Sequence, residues 1–207
     1  MAKQEHPPDA IQASLKRAVA VLRDSGVPFL LGGSLAAWAR GGPETRHDLD
    51  FIVKPDDAET ALDALSTAGM RPERPPEEWL FKAWDGDVPI DLIFEPRGLE
   101  VTDDVIGRGE QLHVLGITIP VMSIEDVLTT KLLALDDHAL DYTGLLEIAR
   151  ALREQIDWLS LRRRTAGHPY SAAFFTLVDE LGVLSEGAAQ RGAEVRVLSQ
   201  SRDPPSS

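Results

Sequence analysis

Val27-Pro28-Phe29-Leu30-Leu31-Gly32-Gly33-Ser34-Leu35-Ala36-Ala37-Trp38-Ala39-Arg40 is the stretch that decides the fold. Val27 to Leu31 is a short apolar run between glycines, the pattern of a buried strand. Ser34 to Arg40 then reads as a helix with Ser34 near its N-terminus, and Gly41, Gly42 and Pro43 stop it. Ahead of this unit, Asp9 to Arg23 carries Ile11, Leu15, Ala18, Val19 and Leu22 at helical spacing and ends at Ser25-Gly26. After it, Asp48 to Val53 reads as a strand and Pro55 to Ala68 as a helix closed by Gly69. Trp79 to Trp84 and Val88 to Phe94 form a hairpin turning at Asp85-Gly86-Asp87. The order α, β, α, β, α, β, β predicts an α/β (α+β) protein built on a mixed sheet flanked by helices.

The remainder turns helical. A further strand is expected near Gln111 to Leu115. Ser123-Ile124-Glu125-Asp126 then resembles a capping box opening a helix that runs to about Leu135. Tyr142 to Leu152, Glu154 to Arg164 and Tyr170 to Leu181 supply three more amphipathic helices, and Glu186 to Ser207, rich in Gly, Ser, Arg and Pro, reads as a frayed tail. The expected organisation is a core over 1–121, a helical region over 122–185 and a flexible tail over 186–207.

Composition narrows the function. At 207 residues the chain can bury a core unaided. The absence of cysteine excludes disulfides and thiolate metal sites. No apolar stretch approaches the roughly 20 residues of a membrane span, and Met1 to Asp9 lacks the apolar segment of a secretory signal, so a cytoplasmic location without membrane partners is expected. A net charge of −13 means that the surface as a whole does not attract polyanions. Basic residues do gather at Arg150, Arg153 and Arg162-Arg163-Arg164, either as a local patch or as a solvated helix face.

Three features carry chemistry. Asp48 and Asp50 in Asp48-Leu49-Asp50 project to one face of their strand, so two carboxylates converge. Such a pair repels itself unless a cation sits between, and hard oxygen ligands suit Mg²⁺ or Mn²⁺ bridging phosphates. Gly32-Gly33-Ser34, between strand and helix, lets phosphate oxygens approach backbone N–H groups and adds a hydroxyl donor. Asp91 interrupts the otherwise apolar Val88-Pro89-Ile90-Asp91-Leu92-Ile93-Phe94, where a buried carboxylate requires a partner. Gly32-Gly33-Ser34-Leu35-Ala36 also approximates the nucleophile elbow of a hydrolase, but lacks its last glycine, and His113, His138 and His168 fall in no convincing triad position. A non-catalytic nucleotide-binding or partner-binding module is the other competing class.

Taken in order, Gly32-Gly33-Ser34, then Asp48-Leu49-Asp50, then Asp91 resemble the signature of the polymerase-β-type nucleotidyltransferase superfamily over about Val27 to Phe94. Downstream, Ser123-Ile124-Glu125-Asp126 through Lys131 to Asp141 and Tyr142 looks like the lysine-bearing helix and later acid of the MenT/AbiEii-type toxin nucleotidyltransferases. Lys131 shares a helix face with Ile124, Val127, Leu128 and Leu135, where it either meets a triphosphate or snorkels to a neighbouring acid such as Asp136.

The resemblance implies a metal-dependent enzyme that moves a nucleoside monophosphate from a nucleoside triphosphate (NTP) to an acceptor hydroxyl, releasing pyrophosphate. Asp48, Asp50 and Asp91 would hold Mg²⁺ or Mn²⁺, with Asp91 as ligand or general base. Gly32, Gly33 and Ser34 would cradle phosphates, and Lys131 would neutralise the departing pyrophosphate. Arg46 and Asp141 would assist nucleotide binding, or serve respectively as a loop arginine and a helix cap. The helices of 122–185 would close over the nucleotide. The acceptor would be a tRNA 3′ end, as for a toxin with a cognate antitoxin, a protein hydroxyl, or an aminoglycoside- or lincosamide-type antibiotic.

Overall fold

The computed structural model describes residues 6–45 and 48–184. Its first helix, α1 (Pro8–Asp24), buries Ile11, Leu15, Ala18, Val19 and Leu22, the stripe that the spacing marks out. It is followed by β1 (Phe29–Leu31), α2 (Gly33–Ala39) and β2 (Leu49–Val53). A single 3₁₀ turn at Pro55–Asp57 leads into α3 (Ala58–Thr67), then β3 (Arg71–Glu73) and the hairpin β4 (Leu80–Asp85) and β5 (Val88–Ile93). The chain continues through α4 (Asp103–Gly107), β6 (Glu110–Val114) and β7 (Ile117–Val121) into α5 (Ile124–Leu133), α6 (Thr143–Ala151), α7 (Trp158–Arg164) and α8 (Pro169–Glu180). The elements expected from the sequence are present within a few residues. β3, α4 and β7 are additional, and the tail over 186–207 lies outside the described residues.

The seven strands among the described residues join one sheet in the order β3-β4-β5-β2-β1-β7-β6. β2 runs parallel to β5 and β1 parallel to β7, while the other neighbours are antiparallel, so the sheet is mixed as expected. Cross-sheet contacts fix the two faces. Arg17 of α1 pairs with Asp85, and Arg74, which lies over the Phe81 ring, bonds Glu59 of α3. Phe81, Ala83 and Asp85 therefore face α1 and α3. Strand pairing puts Ile90 and Leu92 of β5, then Leu49 and Phe51 of β2, on that same face, where all four are fully buried. The opposite face carries Lys82, Asp91 and Asp50, and α2 begins on it.

The helices after the sheet are held by a buried charge. Asp126, fully buried on α5, accepts two hydrogen bonds from Arg108 at 3.0 and 2.9 Å and another from Arg164 of α7. The expected capping box forms only by half. Ser123 Oγ accepts the Asp126 backbone N–H at 3.1 Å, but the Asp126 carboxylate is drawn into the two arginines. Burial pushes the Asp126 carboxyl upward, and the Arg108 and Arg164 guanidiniums outweigh it and hold the group below the ordinary carboxylate range.

A depressed pKa contributes stability above the unfolded value of about 4 that is lost as pH falls through the lower folded value. Substituting Asp126→Asn should leave two partly exposed arginines facing a neutral group and cost about 1–3 kcal/mol in denaturant melts at neutral pH. The deficit relative to wild type should narrow as the medium is acidified below pH of about 4.

Candidate active site

The Gly-Gly-Ser turn is locked to β2. The Gly32 N–H donates to the Asp50 carbonyl at 2.8 Å, and Gly33 adopts φ of 59°, a left-handed conformation that suits glycine. A Cβ at Gly33 would stand 1.7 Å from Asp50 Oδ2, so the second carboxylate of Asp48-Leu49-Asp50 fills the space a side chain would need. Ser34 follows at the start of α2. Its hydroxyl accepts a hydrogen bond from Lys131 Nζ at 3.2 Å, joining residues 97 apart in the chain. The Asp136 carboxylate accepts the backbone N–H groups of His138 and Ala139, each at 2.9 Å.

Parallel pairing of β2 with β5 sets Asp50 directly beside Asp91. Asp48, just ahead of β2, completes a group in which one carboxylate oxygen from each of Asp48, Asp50 and Asp91 lies within 4.8 Å of the others. Asp91 is 8% exposed, while Asp48 and Asp50 are half-buried. This is the one group of three or more such ligands among the described residues. Its donors are hard anionic oxygens on rigid sheet, the set that Mg²⁺ or Mn²⁺ takes, so the residues fit the metal expected from the sequence.

The partner that a buried Asp91 requires is Lys82, which sequence reasoning missed. Lys82 stands opposite Asp91 in the β4–β5 ladder, and its Nζ donates to both carboxylate oxygens at 2.6 and 2.8 Å. A usable signal was present. In a hairpin turning through Gly86-Asp87, Asp85 pairs with Val88, and counting back from the turn brings Lys82 to Asp91. Pairing of Glu73 with Lys82 extends the row across four strands as Glu73, Lys82, Asp91 and Asp50.

Asp141 is exposed and does not join the converging acids. Its carboxylate accepts the Thr143 N–H at 2.8 Å, and that bond holds its pKa below the ordinary range. This is a local bond made two residues ahead of α6, whose N-cap position is Tyr142 rather than Asp141. Arg46 lies outside the described residues. Of the basic run, Arg162 bonds Asp179 at 2.6 Å and lies over Phe175, and Arg164 bonds Asp126, so two of its three guanidiniums are engaged within the fold.

A strand–Gly-Gly-Ser–helix unit facing three converging acids on a mixed sheet defines the nucleotidyltransferase fold, and the comparisons agree. Residues 8–178 match a family described as uncharacterised nucleotidyltransferase, and the chain belongs to that family. It is therefore an enzyme of the nucleotidyltransferase class. No curated protein matches the chain by sequence. Among solved structures, the antibiotic-resistance factor ANT(2'')-Ia is similar, with a TM-score of 0.59 at 15% identity over 85% of this chain and 99% of that one. JHP933 from Helicobacter pylori has a TM-score of 0.55 at 13% identity, covering 93% and 99%. A putative nucleotidyltransferase, TM1012 from Thermotoga maritima, has 0.50 at 18% identity, covering 76% and 97%. At these identities the likeness is one of fold. No helix among the described residues is long and apolar enough to cross a membrane.

Gly33→Ala should destabilise the chain by about 1–3 kcal/mol, the cost of a strained backbone conformation. Because the new Cβ displaces Asp50, calorimetric Mn²⁺ binding should fall by more than the same substitution at Gly26, whose Cβ would meet nothing within 4 Å.

Proposed function

We propose that the protein transfers a nucleoside monophosphate from an NTP to a hydroxyl of a small acceptor molecule, using a divalent cation held by Asp48, Asp50 and Asp91. The observation that carries this reading is the convergence of the three carboxylates within 4.8 Å, on the face where the Gly33–Ser34 turn meets Lys131. Mg²⁺ or Mn²⁺ in that group would supply charge neutralisation on the triphosphate. Gly33 and Ser34 present a backbone N–H and a hydroxyl to the terminal phosphates. Lys131, already directed at Ser34, places its positive charge where pyrophosphate gathers negative charge as it departs. Asp91, whose two oxygens both accept hydrogen bonds from Lys82, would serve as metal ligand or as general base.

For the acceptor, two observations favour a small hydroxylated molecule over tRNA. The net charge is −13, and Arg162 and Arg164 are engaged within the fold rather than presented to a phosphate backbone. The fold-similar ANT(2'')-Ia is described in complex with adenylyl-2''-tobramycin. A tRNA-modifying toxin with a cognate antitoxin, of the MenT/AbiEii type, is the second reading and rests on the resemblance of the segment from Ser123 to Tyr142.

The test incubates the protein with Mg²⁺ and each labelled NTP, adding aminoglycosides and other hydroxylated amines in one series and bulk tRNA in another. Pyrophosphate release and label on a small compound are expected, both abolished by Asp48→Ala with Asp50→Ala. Label on RNA would replace the small-acceptor reading with the toxin reading. No turnover of any NTP would remove nucleotidyl transfer altogether. Lys131→Ala should lower kcat about a hundredfold to a thousandfold while the protein stays folded by circular dichroism.

A further inference from the structure

We infer that Lys82 makes metal uptake by the carboxylate group depend on the triphosphate, so that the cation and the NTP enter together. The inference rests on the reading of Asp48, Asp50 and Asp91 as the metal-binding set, and assigns Lys82 a positioning role within it. Lys82 is fixed by the fold. β4 pairs with β5 from Leu80 opposite Ile93 to Asp85 opposite Val88, which leaves Lys82 no other carboxylate on β5 to face. Its Nζ is 2.6 and 2.8 Å from the two Asp91 oxygens, and its side chain is only 27% exposed, so water screens the pair incompletely.

The consequence is electrostatic. A divalent cation reaching this group without a nucleotide has to share the Asp91 carboxylate with an ammonium that already bonds both oxygens. Metal–oxygen bonds of about 2.0–2.6 Å would bring the two positive centres within a few ångströms of each other, where like charges disfavour one another. Lys82 offsets part of the negative charge that the three acids offer a cation. A triphosphate adds its own anionic oxygens from the Ser34 and Lys131 side, and that extra negative charge outweighs the repulsion from Lys82. The bare site therefore holds a divalent cation weakly, and the site loaded with triphosphate holds it well.

The test is isothermal titration of the full chain and its Lys82→Met, Lys82→Gln and Lys82→Arg variants. Each is titrated with Mn²⁺ alone and then with the preformed Mn²⁺ complex of α,β-methylene ATP, with folding checked by thermal melts. Lys82→Met and Lys82→Gln are expected to bind Mn²⁺ alone at least tenfold more tightly than wild type. Lys82→Arg, which keeps the charge, should stay within about threefold of wild type. The gap should shrink when the nucleotide complex is titrated. Unchanged or weaker Mn²⁺ binding in both neutral variants, at least one of them folded, would overturn the inference and leave Lys82 as a purely structural partner of Asp91. If wild type binds the nucleotide complex but the neutral variants gain nothing with Mn²⁺ alone, only this inference fails. If no form of the protein binds Mn²⁺ with or without nucleotide, the nucleotidyl-transfer reading fails with it.

Discussion

Two carboxylates stand side by side on adjacent parallel strands, Asp50 on β2 and Asp91 on β5, and the rest of the molecule is arranged around that unfavourable pairing. Like charges in neighbouring positions of a sheet destabilise it, so the register has to be imposed by something stronger. The other face of the same strands imposes it. Leu49 and Phe51 on β2 and Ile90 and Leu92 on β5 are fully buried against α1 and α3. A slip of one residue would turn all four away from that core and point the acids into it. Lys82, delivered by the next strand out, offsets part of the repulsion. The hydrophobic face thus enforces a geometry that the polar face would not choose.

Which parts of this were legible in the sequence follows from how local each signal is. The run from Val27 to Arg40, the acid pair of Asp48-Leu49-Asp50 and the Asp85-Gly86-Asp87 turn each announce themselves within one short stretch of chain, and each is found where expected. β3 has the sequence Arg-Pro-Glu, with no apolar alternation to mark it, and exists because β4 offers it an edge. β7 contains Pro120, which demotes a strand reading, yet it is held between β6 and β1. The pairing of Lys82 with Asp91 required only counting from a turn already recognised. The Asp126 cluster did not submit to counting, since Arg108 and Arg164 approach from 18 and 38 residues away and the acid resembled a local cap.

Helix α5 joins these two themes. Lys131 reaches Ser34 from one side of it, and Asp126, five residues earlier, is buried with Arg108 and Arg164 on another. Five residues leave two side chains roughly 140° apart around an α-helix axis, so one short element presents a cation toward the carboxylate face and an anion into the interior. The ion cluster, together with the buried Val127, Leu128 and Leu132, thus helps to hold the helix that carries Lys131. Sequence periodicity placed Lys131 within an apolar stripe and left its partner open; only the tertiary structure, by bringing α2 alongside α5, selects Ser34.

The missing side chain at position 33 has a consequence of a different kind. Because Asp50 fills the volume that a Cβ would claim there, the identities of residues 33 and 50 are coupled by size: a bulkier residue at 33 is accommodated by shrinking or removing the acid at 50. The sheet, whose register is set on the other face, would tolerate that exchange far better than the chemistry would. In lineages that share this architecture, loss of the glycine is therefore a mark by which a copy that has given up catalysis while keeping its shape could be told from one that has not.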